Sequence, residues 1–296
     1  ETNFTVQANV SCIGGTCEDV TVALALGAVG EAGTFTTSNG QWVTINFTGY
    51  YDQPVVVGTT NTHNGQNALI FEARSVSATS AQLRVCESEG GSSNGCDSHG
   101  PETVGYLVID ASATDLIPGL EAGTFDVSGE LDTTTETVAF SESFSTTPIV
   151  LTSVQTINGD SPVESQLTAT SATQFSAGLC HQSGTDDCDP THPTETVGWI
   201  AIEPGAEPFD QQSEADQTGN VVENSDWTTQ VFSDPFPTVP VVIVETQTDD
   251  GTEDPEIDEA RSVTTTSAQV RYCELQTGDT CDSHTDENVG WFAVEP

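Results

Sequence analysis

One strand is written three times in this chain. Val104-Gly105-Tyr106-Leu107-Val108-Ile109-Asp110, Val197-Gly198-Trp199-Ile200-Ala201-Ile202-Glu203 and Val289-Gly290-Trp291-Phe292-Ala293-Val294-Glu295 share one order: Val-Gly-aromatic, then aliphatics, then an acid. Val20-Thr21-Val22-Ala23-Leu24-Ala25-Leu26 is a degraded fourth copy, and a cysteine pair precedes every copy. Self-similarity at this period means an array of one small unit, and it constrains the fold more than any single residue does.

Aligned on that strand, the upstream segments also match. Glu31-Ala32-Gly33-Thr34-Phe35, Glu121-Ala122-Gly123-Thr124-Phe125 and the divergent Glu214-Ala215-Asp216 open the repeats. Alternating strands follow, at Trp42–Phe47, Thr137–Phe140 and Trp227–Phe232. Pro54-Val55-Val56-Val57, Pro148-Ile149-Val150-Leu151 and Pro240-Val241-Val242-Ile243-Val244 are Pro-led apolar strands, and a proline is tolerated at a strand's first residue. A polar loop then leads to Ala73-Arg74-Ser75-Val76, Leu167-Thr168-Ala169-Thr170 and Ala260-Arg261-Ser262-Val263, and on to strands ending in Cys86, Cys180 and Cys273. Period-2 alternation with Gly, Asn, Asp and Ser punctuation argues strands throughout, and no window has helical periodicity. The fold expected is all-β: three tandem six-stranded antiparallel β-sandwich domains, over residues 31–115, 116–207 and 208–296, behind an N-terminal β-hairpin over 1–30. The connections at Ala111–Leu120 and Pro204–Gln212 read as short, semi-rigid linkers.

The charge balance excludes whole classes of partner. The 296 residues carry 46 Asp and Glu against four basic residues, all arginine, for a net charge of −42. Nucleic acid and anionic membrane surfaces need Lys and Arg to displace counterions, so neither is a partner. At low salt such a chain repels itself. Molar salt shortens the Debye length to about 3 Å and removes that cost. The composition therefore points to a halophilic organism. The chain begins at Glu1 with no cationic, apolar leader, and the reading expected is a mature secreted protein. Its longest apolar run, 22–29, is far too short to span a bilayer.

Eight cysteines paired by repeat suit an oxidising compartment. The simplest pairing closes a small ring in each copy: Cys12–Cys17, Cys86–Cys96, Cys180–Cys188 and Cys273–Cys281, with loop closure worth about 2–3 kcal/mol each. Zinc ligation is the rival, weakened because no Cys-x-x-Cys occurs. Asn3, Asn9 and Asn46 stand in N-glycosylation sequons.

Pro-Val-Val-Val, a polar loop, the turn Ser75-Val76-Ser77-Ala78-Thr79-Ser80-Ala81, a Cys-bearing strand and Gly-Trp-Ile-Ala-Ile-Glu together resemble the H-type lectin domain of snail agglutinins and discoidins. The resemblance covers each repeat from about Trp42, Thr137 and Trp227 onward. It implies a six-stranded sandwich, trimeric assembly and recognition of N-acetylgalactosamine-type sugars at subunit edges. That family uses an aromatic-His pair in the loop before the last strand. This chain writes the loop as Cys-Asp-x-His without an aromatic. Acidic tandem arrays of this kind also resemble repeats in large surface proteins of marine bacteria and archaea.

The recurrent polar motif before the last strand holds His99 and Glu102, His192 and Glu195, and His284 and Glu287. An imidazole with carboxylates suits a transition metal. The alternative is a loop whose acid and histidine bind backbone groups, and recurrence in every repeat favours that structural part. No cofactor is called for beyond a possible bound cation. The acidic run Glu253–Glu259, after Asp249-Asp250, offers calcium oxygen ligands but lacks Asp-x-Asp-x-Asp-Gly spacing and reads as a solvated loop. Gly91-x-Ser93-x-Gly95 sits in a hairpin loop, not between strand and helix, so it is no nucleophile elbow. Trp42, Trp199, Trp227 and Trp291 read chiefly as core, and no catalytic residue is singled out.

The surplus hairpin matches only the last two strands of a repeat. An isolated hairpin is marginal in water and leaves edges unpaired. Thr5, Val6, Ala8, Val10, Val20, Val22, Leu24 and Leu26 would pack on the first domain, remain as the stump of an upstream repeat, or add to a neighbouring molecule. Strand addition makes head-to-tail fibres. The function expected is a non-enzymatic, extracellular structural or adhesive subunit. The rival is a glycan-binding lectin.

Overall fold

The structure is a computed structural model and describes residues 29–65, 67–87, 96, 99–129, 131, 134–159, 161–180, 188, 192–205, 217–223, 226–249, 256–275, 281–282 and 286–296. The N-terminal hairpin, with Asn3, Asn9, Cys12 and Cys17, lies outside them, as do His284 and the Gly91–Gly95 loop. The described residues form no α-helix and nineteen strands.

The first unit holds β1 (Gly30–Thr37), β2 (Val43–Asn46), β3 (Pro54–Thr60), β4 (Leu69–Ser77), β5 (Ser80–Glu87) and β6 (Glu102–Asp110). The second holds β7 (Leu120–Val127), β8 (Glu136–Ala139), β9 (Ile149–Val154), β10 (Glu164–Thr170), β11 (Gln174–Cys180) and β12 (Glu195–Ile202). The third holds β13 (Gln217–Glu223), β14 (Thr228–Val231), β15 (Val241–Thr246), β16 (Glu256–Arg261), β17 (Ser267–Leu275), the short β18 (Cys281–Asp282) and β19 (Glu287–Val294). Each unit has an inner antiparallel sheet, ordered β1-β6-β3, β7-β12-β9 or β13-β19-β15. Each also has an outer one, β2-β5-β4, β8-β11-β10 or β14-β17-β16, and a single parallel bridge, Thr60 to Glu259, joins β3 to β16.

One face of each inner sheet packs on its own outer sheet. In the first unit Val56, Val104, Tyr106 and Val108 meet Leu69, Phe71, Leu83 and Val85. The other face of all three inner sheets enters one shared core. Val55, Val57, Leu107 and Ile109 come from the first unit, Ile149, Leu151, Ile200 and Ile202 from the second, and Val241, Ile243, Phe292 and Val294 from the third. Each such side chain is worth about 1.5–3 kcal/mol when buried. A unit alone would expose four of them and lose about 6–12 kcal/mol, as much as a whole domain's usual stability. The repeats are therefore not beads on a string. They close around one axis.

The closure is cyclic. β3, β9 and β15 are edge strands of their inner sheets, and unpaired edge N–H groups need partners. The following unit supplies them from side chains. Gln155 of the second unit accepts from Val56 N of the first at 2.5 Å. Gln247 of the third accepts from Val150 N of the second at 2.9 Å and returns a bond to Val150 O at 2.7 Å. Asn61 of the first accepts from Val242 N of the third at 3.1 Å and donates to Val242 O at 2.6 Å. Three equivalent amides thus tie three equivalent edges in a ring with approximate threefold symmetry.

The ring explains the repeated Val-Gly-aromatic. A Cβ on Gly105 would lie 2.7 Å from Val241 of the third unit, one on Gly198 3.0 Å from Val55 of the first, and one on Gly290 2.8 Å from Ile149 of the second. Glycine lets the neighbouring unit's first aliphatic press onto the last strand. The aromatic that follows needs a second glycine opposite it. Tyr106, Trp199 and Trp291 lie across Gly33, Gly123 and Gly219 in register. This register corrects the third repeat's opening: Gln217-Thr218-Gly219, not Glu214-Ala215-Asp216, takes the place of Glu31-Ala32-Gly33. Gln217 also does Glu31's work. Glu31 accepts from Thr48 N at 2.7 Å, and Gln217 from Ser233 N at 2.7 Å.

The connection after β6 is also built differently from a plain linker. Ala111–Leu116 forms a 3-10 helix capped by Asp110, whose carboxylate also accepts from Asp52 N at 2.8 Å and Gln53 N at 3.0 Å. Burial pushes this carboxyl up, but the bonds from Ser112, Asp52 and Gln53 outweigh it and hold it below the usual range.

Candidate functional site

The loop before each last strand is pinned by a disulfide and a buried acid. Disulfides join Cys86 to Cys96, Cys180 to Cys188 and Cys273 to Cys281, with Cα–Cα separations of 4.9, 5.0 and 4.9 Å. No described cysteine is free. The acids Glu102, Glu195 and Glu287 open the last strands and are fully buried. Glu102 accepts from Asn64 N at 2.5 Å, from Asn64 Nδ2 at 3.2 Å and from the Thr62 hydroxyl. Glu195 accepts from Asn158 N at 2.6 Å, Gly159 N at 3.2 Å and Thr156 Oγ1 at 2.5 Å. The Thr248 hydroxyl donates to Glu287. Each carboxylate thus fastens the loop that leaves the Pro-led strand.

The histidines sit on the loop before the last strand. His99 Nδ1 is 3.0 Å from Gly100 O and 3.6 Å from Glu102 Oε1. His192 Nδ1 is 3.0 Å from Pro193 O and 3.8 Å from Glu195 Oε1. Their rings cover Gly65 and Gly159, where a Cβ would come within 2.1 and 2.4 Å of Nε2. The structure therefore brings each described histidine beside its acid, and gives the acid's oxygens to backbone and hydroxyl donors. One three-residue group among the described residues has metal-ligand spacing: Glu72, Cys86 and Cys96. Its cysteines are spent in the disulfide, and its carboxylate pairs with Arg84 at 2.6 Å.

All four basic side chains of the chain serve two tryptophan clamps. Arg74 and Arg84 lie over the Trp42 ring at 4.0 and 4.4 Å from its centroid, and Arg261 and Arg271 over the Trp227 ring at 4.0 and 4.4 Å. Stacked guanidinium suits a tryptophan face. Arg84 and Arg271 also pair with the buried Glu72 and Glu259, each at 2.6 Å. His63 of the first unit reaches Glu259 of the third at 3.2 Å and lies 5.5 Å from the Trp227 ring. The second unit has Thr168 and Gly178 in the arginine places, and Leu131 covers Gly178 instead. Trp199 and Trp291 are core residues.

Asn46 is exposed at the end of β2, open to a glycan. The acidic run read as a solvated loop is corrected in its second half: Glu256–Arg261 is strand β16, and Glu256 and Glu259 are buried at unit junctions. The misreading came from charge. Acids normally seek water, but here the strand packs between units. No helix among the described residues is long and apolar enough to cross a membrane.

No family model matches the chain, and no solved structure matches it. The chain is similar to halomucin of Haloquadratum walsbyi, at 29% identity over 222 residues. The match covers 74% of this chain and 2% of halomucin, so the chain spans a small fraction of that relative's length. The three described disulfides fit an extracellular, oxidising location.

Proposed function

We propose that this chain is a non-enzymatic structural module of an extracellular, salt-adapted surface coat. In this reading three H-type-lectin-like sandwiches close into one rigid body, and residues 1–26 join it head to tail to its neighbours. The observation that carries it is the shared core, closed by Gln155, Gln247 and Asn61 and stiffened by disulfides. Such a body gains little from flexibility and much from resistance to unfolding. A net charge of −42 keeps its outside hydrated in brine. The test is electron microscopy of the native protein in molar salt beside a variant lacking residues 1–26. Fibres from the intact chain and single compact particles from the variant are expected. Fibres from both, or particles from both, would overturn the joint.

A second reading is favoured by one observation. Three units around one axis, in a single chain, reproduce the trimer that the H-type resemblance implies. A lectin would place glycans at the unit junctions. A glycan array in molar salt separates the two: saturable binding to particular sugars by isolated particles moves the assignment to the lectin.

A further inference from the structure

The three units do not contribute alike to the space where they meet. Where the three units meet, Glu164 on β10, Glu245 on β15, and Glu256 and Asp258 on β16 border a cavity of about 40 Å³, and Thr59, Ile70 and Phe71 of the first unit line the rest of its wall. By strand register, Glu164 corresponds to Ile70 and Ile257, each opposite the first cysteine of its unit. Asp258 corresponds to Ser165 and Phe71, and Glu256 to Val163 and Leu69, by the same register. Glu245 corresponds to Thr59 and Ser153, which make the neighbouring junction bonds in the other units. Around this cavity the first unit therefore places only apolar and hydroxyl side chains at the positions where the second and third place carboxylates, so the fold does not require the acids there.

No arginine is left to neutralise this cluster, since all four lie over tryptophan rings, and the chain has no lysine. Glu245 accepts from Thr152 Oγ1 at 2.6 Å and Thr152 N at 3.2 Å. Asp258 accepts from Thr246 N and Oγ1, both at 2.8 Å. Glu164 Oε1 is sealed from solvent and accepts no hydrogen bond among the described residues. A buried carboxylate oxygen with no donor costs several kcal/mol by order of magnitude unless a proton or a cation meets it. The donors around the cavity are carboxylate, hydroxyl and carbonyl oxygens, without imidazole or thiolate. That set selects a hard cation, and an irregular cage with mobile carboxylates suits calcium better than the strict octahedron of magnesium.

We propose that the cavity where the three units meet binds one calcium-sized divalent cation through Glu164 of the second unit and Glu245 and Asp258 of the third, locking the ring. In the present structure these carboxylates border the cavity without converging to within 4.8 Å of one another. Rotation of Glu164 toward the other two is the movement that binding requires.

The test uses the intact chain in molar KCl, which screens the acidic surface. Titration calorimetry with CaCl2 should find one saturable site that outlasts that salt, with weaker magnesium binding. At 100-fold excess over Kd, calcium should raise Tm by about 5 °C over a chelator control. Glu164→Gln and Asp258→Asn should each weaken binding at least tenfold and lose the Tm response, while the exposed Glu142→Gln keeps both. No saturable site in the wild type, or unchanged affinity in both variants, overturns the proposal. Should the variants fail to fold, anomalous diffraction from wild-type crystals grown with terbium decides. Density in this cavity supports the site, and density only elsewhere refutes it.

Discussion

Gly290→Ala tests the ring directly. Gly290 lies in β19 of the third unit, and its added Cβ would stand 2.8 Å from Ile149 Cγ2 of the second and 3.1 Å from the Gln247 side chain. Carbon pairs rest at about 3.5–4.0 Å, so the neighbour must retreat by more than half an ångström. Overpacking of this kind costs about 1–3 kcal/mol. Loss of chain entropy in the unfolded state returns about 0.4–1 kcal/mol. The net expectation is a loss of about 1–2 kcal/mol. Ile149→Ala alone should cost about 2–5 kcal/mol through its cavity. In the double variant the new methyl enters the vacated space, and the two costs should fall short of their sum by at least about 1 kcal/mol. Urea unfolding in molar KCl, followed by circular dichroism, reads all four corners of the cycle. Ile149 and Gly290 are 141 positions apart (290 − 149) and belong to different repeats. Additivity within about 0.5 kcal/mol, or a neutral Gly290→Ala, would refute the closed ring.

Further outcomes are expected. Replacing Cys273 and Cys281 by serine should lower stability by about 2–3 kcal/mol in the same urea assay, the chain-entropy value for a short loop. Glu259→Ala strands the buried Arg271 guanidinium and His63 and should cost about 3–5 kcal/mol, whereas Glu142→Ala on the surface should cost little. With calcium chelated, stability should decline as pH rises from about 4 to about 7. Burial and neighbouring carboxylates push Glu164 and Glu245 well above the ordinary range, and burial pushes Asp258 to about 7. The folded state therefore keeps protons that the unfolded chain has released, and the stability present below the unfolded pKa is lost through the folded one. Urea midpoints that stay flat over this range would contradict the assignment. Asp110 and Glu203 act the opposite way. Hydrogen bonds hold both below the usual range, so their contribution should disappear only as pH falls below about 4.

Much of the strand order was legible because period-2 alternation and glycine punctuation are local. The disulfide rings were legible for the same reason: cysteines 8 to 10 positions apart at the ends of paired strands have few other choices. The third repeat's opening was misplaced because Glu-Ala resembles Glu-Ala, while the fold requires a glycine under Trp291, which sits at Gly219. The arginine clamps were invisible because Arg74 and Arg84 meet Trp42 across strands, and no spacing announces cation–π geometry. The acidic cavity was hidden because Glu164 and Glu245 stand in different units, and no spacing in the sequence brings them together.

One signal was available and pointed to the ring. Val55-Val56-Val57, Leu107-Val108-Ile109 and their counterparts do not alternate, and an unbroken apolar run marks a strand covered on both faces. A lone two-layer sandwich covers one. By itself, then, the sequence determined an all-β array, the strands of its three full repeats, their three disulfides and a strongly acidic composition. Those follow from side-chain period, local chain closure and net charge. The tertiary structure decided that three second faces would satisfy one another, that Asn61, Gln155 and Gln247 would seal the free edges, and that carboxylates of two units would border one cavity where all three meet. These depend on which distant residues share a volume, and only packing in three dimensions fixes that.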